Sequence, residues 1–257
     1  MLLIEKGWDR LKQVKIYEKL PLIYDYLMKS INYETWVKYI FSIVKSYVPR
    51  DGLVLELAGG SCKFANYFVK YFPRIIVTDI SKNMMLVDEK NLVQKACCNM
   101  SGIPFKAGFY LIYSNFDSIN YLTSKKKLLE MFKEISRVLL PDGIFTFDVS
   151  LERNSIIHTK TPVRTGNFRG IYFNQKSEYN KKSRIHKNIF ILKNEDEVLK
   201  EVHRQKIYPF ETYFELLAAA GLYVKHCYNA FTYKNGSSDS ERVQFITKKV
   251  KKNADIQ

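Results

Sequence analysis

With 257 residues, 46% of them apolar and 26% charged, the chain has the length for one α/β domain with its own core and the composition of an ordinary globule. No apolar run reaches the ~18 residues of a membrane span, Met1–Ile4 is too short for a signal peptide, and Cys62, Cys97, Cys98 and Cys227 lack metal-ligand or disulfide spacing, so membrane, secreted and metal-cluster classes give way to a cytoplasmic chain with reduced thiols. The net charge of +15 leaves a nucleic-acid partner open, because residues 160–206 hold twelve Lys or Arg against five acids.

Two N-terminal helices are predicted over 12–31 and 33–48, the second capped by Asn32 with Trp36, Val37, Ile40, Phe41 and Val44 on one face. A turn at Pro49–Gly52 follows, and then strands and helices alternate: strand 53–57, helix 61–71, strand 75–79, helix from Ser81 to about 91, strand 93–97. Strand 109–114 leads to a helix over 124–139, which stops at Leu140–Gly143 before strand 144–148. Such alternation implies a parallel sheet covered by helices on both faces. After Ser150 the helical period is lost, and the runs 168–174, 184–193 and 198–208 read as an antiparallel insertion over the ligand edge of the sheet. A helix over 209–221, stopped by Gly221, precedes strands 222–231 and 241–248, joined by a polar loop.

The expected fold is therefore α/β: a doubly wound, mostly parallel seven-stranded sheet with a C-terminal antiparallel strand and a small antiparallel β insertion. Four parts are expected: an N-terminal helical cap (1–48), a cofactor-binding core (49–150), a substrate lid (151–208), and a C-terminal helix and hairpin (209–257).

The stretch Leu53-Val-Leu-Glu-Leu-Ala-Gly-Gly-Ser-Cys-Lys63 is a buried strand turning sharply into a helix, with glycines where the backbone approaches a ligand. The second strand ends at Asp79, and an acid at the carboxyl end of such a strand can hold a ribose diol, so a nucleoside-containing cofactor is indicated. The Gly-x-Gly-x-x-Gly pattern of nicotinamide enzymes and the Gly-Lys-Ser/Thr of a P-loop are both missing.

Leu55-Glu-Leu-Ala-Gly-Gly-Ser-Cys-Lys-Phe-Ala65 resembles the first motif of class I S-adenosylmethionine-dependent methyltransferases, and Val77–Met85 resembles their ribose-binding motif. Phe116–Leu122 and Ile135–Gly143 are similar to that family's fourth-strand and following-helix motifs, and Glu201–Tyr208, Ser240–Phe245 and the Tyr24-Asp25, Tyr33, Trp36 pattern are similar to segments of a bacterial branch acting on small molecules. Cys62 stands where that family has its third glycine, and Ala58 where it has its first.

The resemblance implies S-adenosyl-L-methionine as cofactor and S-adenosyl-L-homocysteine as product. It implies that Ala58, Gly59 and Gly60 pass close to the methionine and ribose, and that Glu56 accepts loop amides and, through water, the cofactor's ammonium. Asp79 would take the ribose hydroxyls or cap the next helix. Ile80 and Met84 would sandwich the adenine, and Asn99 would accept its amino group with Met100 on the ring, or serve loop turn chemistry. Ser114 and Asn115 would meet the methionine carboxylate or the substrate. Tyr24, Tyr33 and Trp36 would cover the sulfonium with aromatic faces, or simply form core.

The expected reaction moves a methyl group to a small acceptor, an amine nitrogen of a metabolite or of a peptide N-terminus first. An RNA methyltransferase gripping phosphates with 160–206, or a non-catalytic cofactor-binding module, are the alternatives; no membrane partner is expected. A general base is needed only for a protonated nucleophile, and Asp117, Tyr121 and His203 are candidates. Glu201, His203 and Gln205 alternate and share one face of their strand. Facing inward they form a polar ceiling suited to an amine or carboxylate; facing outward they are solvated.

Overall fold

The computed structural model describes residues 11–250. Helices α1 (Pro21–Leu27) and α2 (Tyr33–Val44) precede an alternating core of β1 (Val54–Leu57), α3 (Lys63–Phe68), β2 (Ile75–Asp79), α4 (Lys82–Leu86), β3 (Gln94–Cys97), β4 (Phe109–Ser114), α5 (Lys125–Val138) and β5 (Leu139–Ser150). Helix α6 (Glu152–His158) leads into an insertion of β6 (Val163–Phe168), β7 (Ile171–Asn180), β8 (Ile185–Lys193) and β9 (Val198–Lys206). The chain then returns through α7 (Phe210–Ala219), β10 (Leu222–Asn229) and β11 (Arg242–Lys249).

The main sheet has seven strands in the order β10-β11-β5-β4-β1-β2-β3, parallel except for β11, which runs against both of its neighbours. Alternation along the central strands packs both faces. Val54, Leu111 and Tyr113 meet α2 and α3, while Leu55, Leu57 and Ile112 meet α5 and α7. Burial on both sides is why these strands read as continuous apolar runs. Asn32 and Ser81 cap as the sequence suggests, accepting the N–H of Thr35 and Met84, and Ser124 likewise accepts the N–H of Lys127. The insertion forms a separate antiparallel sheet, β6-β7-β8-β9, and Leu20, Ile23 and Leu27 dock against its Phe173, Phe190 and Leu192.

Four local expectations are corrected. The helix over 12–31 is only α1. Residues 12–20 form a non-helical strap instead, laddered to Lys200 through the Lys12 carbonyl and Val14 amide and then turning at Ile16–Tyr17, with Tyr17 at φ +58°. A helix would keep the amides of Tyr17, Lys19 and Leu20 internal, whereas the buried Glu201 carboxylate collects all three. Helices α3 and α4 are shorter than expected. Left-handed Cys62 delays the first, and Asp88 ends the second by taking the Lys90 and Asn91 amides. The insertion gains α6 and β6, the latter a largely exposed edge strand containing Gly166, whose pattern is too weak to read.

Candidate active site

The bend after β1 is built from three left-handed residues in alternation, Ala58 at φ +53°, Gly60 at +55° and Cys62 at +58°. Its amides are spent on the second strand: Gly59 N–H donates to the Thr78 carbonyl and Gly60 N–H to Asp79 Oδ2, at 2.9 and 2.8 Å. Side chains are kept out on both sides. A Cβ on Gly59 would stand 2.4 Å from Val77 Cγ1, and one on Gly60 would stand 3.1 Å from Met84 Cε.

Asp79 also accepts the Ser81 amide on Oδ1 at 2.7 Å, so each of its oxygens holds one backbone donor and keeps a lone pair. Burial lifts its carboxyl above the usual range, against the pull of the Ser81 and Gly60 amides. Asp79 therefore both braces the loop and retains capacity for a ligand hydroxyl.

Glu56 differs from the sequence expectation. Loop amides go to Thr78 and Asp79, and Glu56 Oε2 is buried without a hydrogen-bond partner. Burial pushes its carboxyl well above the usual range, with the Tyr113 hydroxyl pulling the other way. At the end of β4, Ser114 Oγ and both amide atoms of Asn115 are likewise buried and unpartnered. Native chains rarely leave such groups unpaired, and here they gather at the carboxyl ends of adjacent parallel strands, where open α/β sheets bind ligands. An acceptor for an ammonium, donors for a carboxylate, a glycine bend and an acid one strand away fit a nucleoside bearing an amino-acid tail.

Comparison with known proteins agrees with that chemistry. Residues 55–147 match the methyltransferase domain family. A Bacillus subtilis (strain 168) protein, provisionally named methyltransferase YqeM, is 27% identical over 248 residues, 92% of this chain and 98% of that protein. A S-adenosylmethionine-dependent methyltransferase from Clostridium acetobutylicum ATCC 824 superposes with a TM-score of 0.74 at 20% identity, covering 90% of this chain and 98% of the other. The sugar N-methyltransferase KedS8 from Streptoalloteichus sp ATCC 53650 gives 0.69 at 16% identity, covering 87% and 91%.

Residues 55–147 form a methyltransferase domain, and the chain is an S-adenosylmethionine-dependent methyltransferase. Its cofactor is S-adenosylmethionine.

The methyltransferase encloses a cavity of about 330 Å³ between the glycine bend, the N-terminal segment and the inserted sheet. Tyr24, Tyr33, Trp36, Glu56, Ala58, Gly59, Gly60, Asp117, Tyr121, His203 and Gln205 line it. Asp79, Ile80, Met84, Asn99, Met100, Ser114, Asn115 and Glu201 do not. Ile80 is 63% exposed and Met84 is buried under Gly60, so they lie on opposite sides of the surface rather than around one cavity. Asn99 is exposed with Oδ1 taken by the Ser101 amide at 2.9 Å, and Met100 packs on the core beneath α5. The turn-chemistry reading of Asn99 is the one its geometry displays.

The inserted sheet presents its polar face to the cavity. Glu201, His203 and Gln205 are all buried and inward-facing, but only the last two reach the space. Glu201 is sealed beneath the strap by its three amides and by His203 Nε2 at 3.2 Å, which removes it from contact with a substrate. Asp117 is similarly committed. Its Oδ1 accepts Arg242, and its Oδ2 accepts Ser150 Oγ and Gln205 Nε2, each at 3.0 Å, so its lone pairs are engaged by protein donors.

Arg242 also binds Asp148, near the carboxyl end of β5, and its guanidinium lies 5.7 Å from the Trp36 ring centre. Burial raises the Asp148 carboxyl to about 6 despite that cation. Asp148 was legible by the strand-end rule that found Asp79; Arg242 sits inside a quoted motif without a role; Tyr17 gave no sequence signal.

Proposed function

We propose that the methyltransferase transfers the methyl group to an amine nitrogen of a small acceptor, a metabolite or a peptide N-terminus. The observation that carries this reading is the pairing of walls in the cavity. Trp36 and Phe116 pack with ring centres 4.1 Å apart and Tyr33 lies 5.5 Å from Phe116, so ring faces line one side, while hydroxyl, amide and imidazole groups of Tyr121, Gln205 and His203 line another. Ring faces favour a cation and the polar groups favour an N–H donor, and an amine offers both. The N-methyltransferase likeness of KedS8 supports the same nucleophile.

Bound S-adenosylmethionine supplies a methyl group activated on a sulfonium. The chain's residues hold and align. Glu56 would accept the methionine ammonium, Ser114 and Asn115 would donate to its carboxylate, and Asp79 would take the ribose hydroxyls with its spare lone pairs. Alignment of this kind supplies about 7–11 kcal/mol through effective molarity. Tyr24, Tyr33 and Trp36 exclude water above the transfer point. The strap, α1 and α2 serve as the cap, and residues 151–208 as the acceptor-side lid. Four free thiols accord with a reducing cytoplasm, and among the described residues no helix is long and apolar enough to cross a membrane.

Arg164 lines the cavity, but two paired basic residues of the insertion do not face it. Lys187 and Arg204, paired across β8 and β9, face away from the side that carries His203 and Gln205.

The test is calorimetric titration with S-adenosylhomocysteine, followed by tritium transfer from labelled S-adenosylmethionine to a panel of amines, alcohols, thiols and total RNA. Glu56→Gln and Asp79→Asn are expected to weaken homocysteine-product binding at least tenfold, and label is expected in the amines. Label confined to alcohols, thiols or RNA rejects the amine reading.

A further inference from the structure

We infer that Tyr17 receives a proton from the acceptor nitrogen and passes it along the chain Tyr17–Tyr121–His203, whose buried end is fixed by Glu201. This deepens, and rests on, the amine reading above.

The direction of the chain is set by counting donors. Glu201 is fully buried and acts only as an acceptor. Its Oε1 takes the amides of Lys19 and Leu20 at 2.7 and 2.8 Å, and its Oε2 takes the Tyr17 amide at 2.9 Å and faces His203 Nε2 at 3.2 Å. With every neighbour donating, the carboxylate stays ionised; burial opposes this, but the His203 and amide bonds prevail and hold its carboxyl below the usual range. His203 Nε2 must therefore carry its hydrogen, which leaves Nδ1 as an acceptor. Tyr121 lies 3.0 Å from Nδ1 and donates to it, and the Tyr17 hydroxyl donates to Tyr121 at 2.9 Å. The Tyr17 oxygen then offers only lone pairs to the cavity that it lines.

That end of the chain selects an N–H or O–H donor and can take its proton. The N–H bond of an alkylammonium breaks as Tyr17 Oη gains the proton; Tyr17 gives its own to Tyr121, and Tyr121 gives its own to His203 Nδ1. The products are a neutral amine with a free electron pair and an imidazolium beside the Glu201 carboxylate; no electrons change hands. The other ionisable groups facing the chain are Tyr24 and Asp79 toward Tyr17 and Asp117 toward Tyr121, with Asp117 itself bound to Arg242. Tyr121 and His203 relay the proton; Glu201 is a positioning residue.

The experiment has two arms on the full-length protein saturated with S-adenosylhomocysteine or S-adenosylmethionine. In the first, ¹⁵N-histidine NMR reads the His203 tautomer in wild type, Tyr17→Phe and Tyr121→Phe. An Nε2–H tautomer is expected, with the Nδ1 resonance moved by Tyr121→Phe and, to a smaller extent, by Tyr17→Phe. In the second, kcat and KM are followed against pH with whichever amine the panel identifies. Tyr17→Phe is expected to lower kcat by about 10²-fold below the amine's own pKa, with the loss shrinking as pH rises and free amine accumulates, and to leave S-adenosylhomocysteine affinity unchanged. A Tyr17→Phe rate and pH profile like wild type overturns the inference. If the product binds but no amine is methylated, the amine reading fails by itself, and an Nδ1–H tautomer would independently overturn the chain.

Discussion

Replacing Gly59 by alanine tests how tightly the glycine bend is built. The added methyl would lie 2.4 Å from Val77 Cγ1 and 2.8 Å from Glu56 Cδ and Oε2. Ordinary carbon contacts run at about 3.5–4.0 Å, so the overlap with Val77 exceeds an ångström. Val77 is fully buried in β2 and β-branched, with few rotamers to escape into, and Glu56 is 2% exposed on the other side. Relief must come from the backbone, and overpacking of this kind costs roughly 1–3 kcal/mol. For a chain of this size each kcal/mol moves Tm by about 2–4 °C, so a fall of roughly 2–12 °C is expected. Displacing the Glu56 carboxylate should also weaken S-adenosylhomocysteine by about tenfold, equivalent to ~1.4 kcal/mol.

Two companions separate crowding from other effects. Gly60→Ala pays about 1–2 kcal/mol for a left-handed alanine but pushes only on the mobile end of Met84. Gly102→Ala meets nothing within 4 Å and should stay within ~0.5 kcal/mol of wild type. Thermal unfolding and product calorimetry read all three. Gly59→Ala indistinguishable from Gly102→Ala in both assays would refute the reasoning.

Ala58→Gly should raise Tm by about 1–4 °C, because roughly 0.5–1 kcal/mol of left-handed strain is relieved after glycine's greater unfolded-state entropy is subtracted; Cys62→Gly, which also empties a fully buried thiol site, should gain less, and differential scanning calorimetry ranks them. Asp148 protonates near pH 6 in the folded chain but near its ordinary 3.8 when unfolded, so between those values the folded state holds the extra proton. Its contribution to stability therefore falls as pH rises from about 4 to 6, by up to roughly 3 kcal/mol, and Asp148→Asn should remove that slope from urea unfolding measured at several pH values. Glu201→Gln leaves one acceptor oxygen facing four donors, and each unpaired donor costs about 1–3 kcal/mol. Limited trypsin digestion should then cut at Lys15 and Lys19 well before the core; an equally protected strap would show that Glu201 does not hold it.

The cofactor half of the molecule was legible because its determinants are local. Leu53–Leu57 and Ile75–Thr78 are strands buried on both faces, and Asn32, Ser81 and Ser124 cap helices within three residues of themselves. The strand order and the helices on both faces follow from that periodicity. The acceptor half was only partly legible because its determinants are distant. Nothing in residues 12–20 announces that Glu201, more than 180 positions away, will take their amides and cancel a helix. The inward face of Glu201, His203 and Gln205 was visible as alternation, but its direction was not, since a one-residue change of register would turn every side chain over. Asp117 looked like a base because a sequence does not show Arg242, Ser150 and Gln205 converging on it.

The strap joins these two halves in a way that bears on how the site is assembled. On the cofactor side, Ser81 Oγ donates to the Tyr17 carbonyl at 3.3 Å, and Ser81 is both the cap of α4 and a donor to Asp79. On the acceptor side, the Tyr17 amide is one of the donors that keep Glu201 ionised, and the Tyr17 hydroxyl begins the chain that Glu201 orients. One residue thus touches the helix cap beside the ribose acid, the buried carboxylate and the cavity. Laying the strap down closes the site and completes the Tyr17–Tyr121–His203 chain in the same event, because the amide that pins Tyr17 and the hydroxyl that faces the acceptor belong to one side chain and its own backbone. A strap lifted from Glu201 would strip amide donors from the carboxylate and withdraw the hydroxyl together, so neither function can be kept while the other is lost.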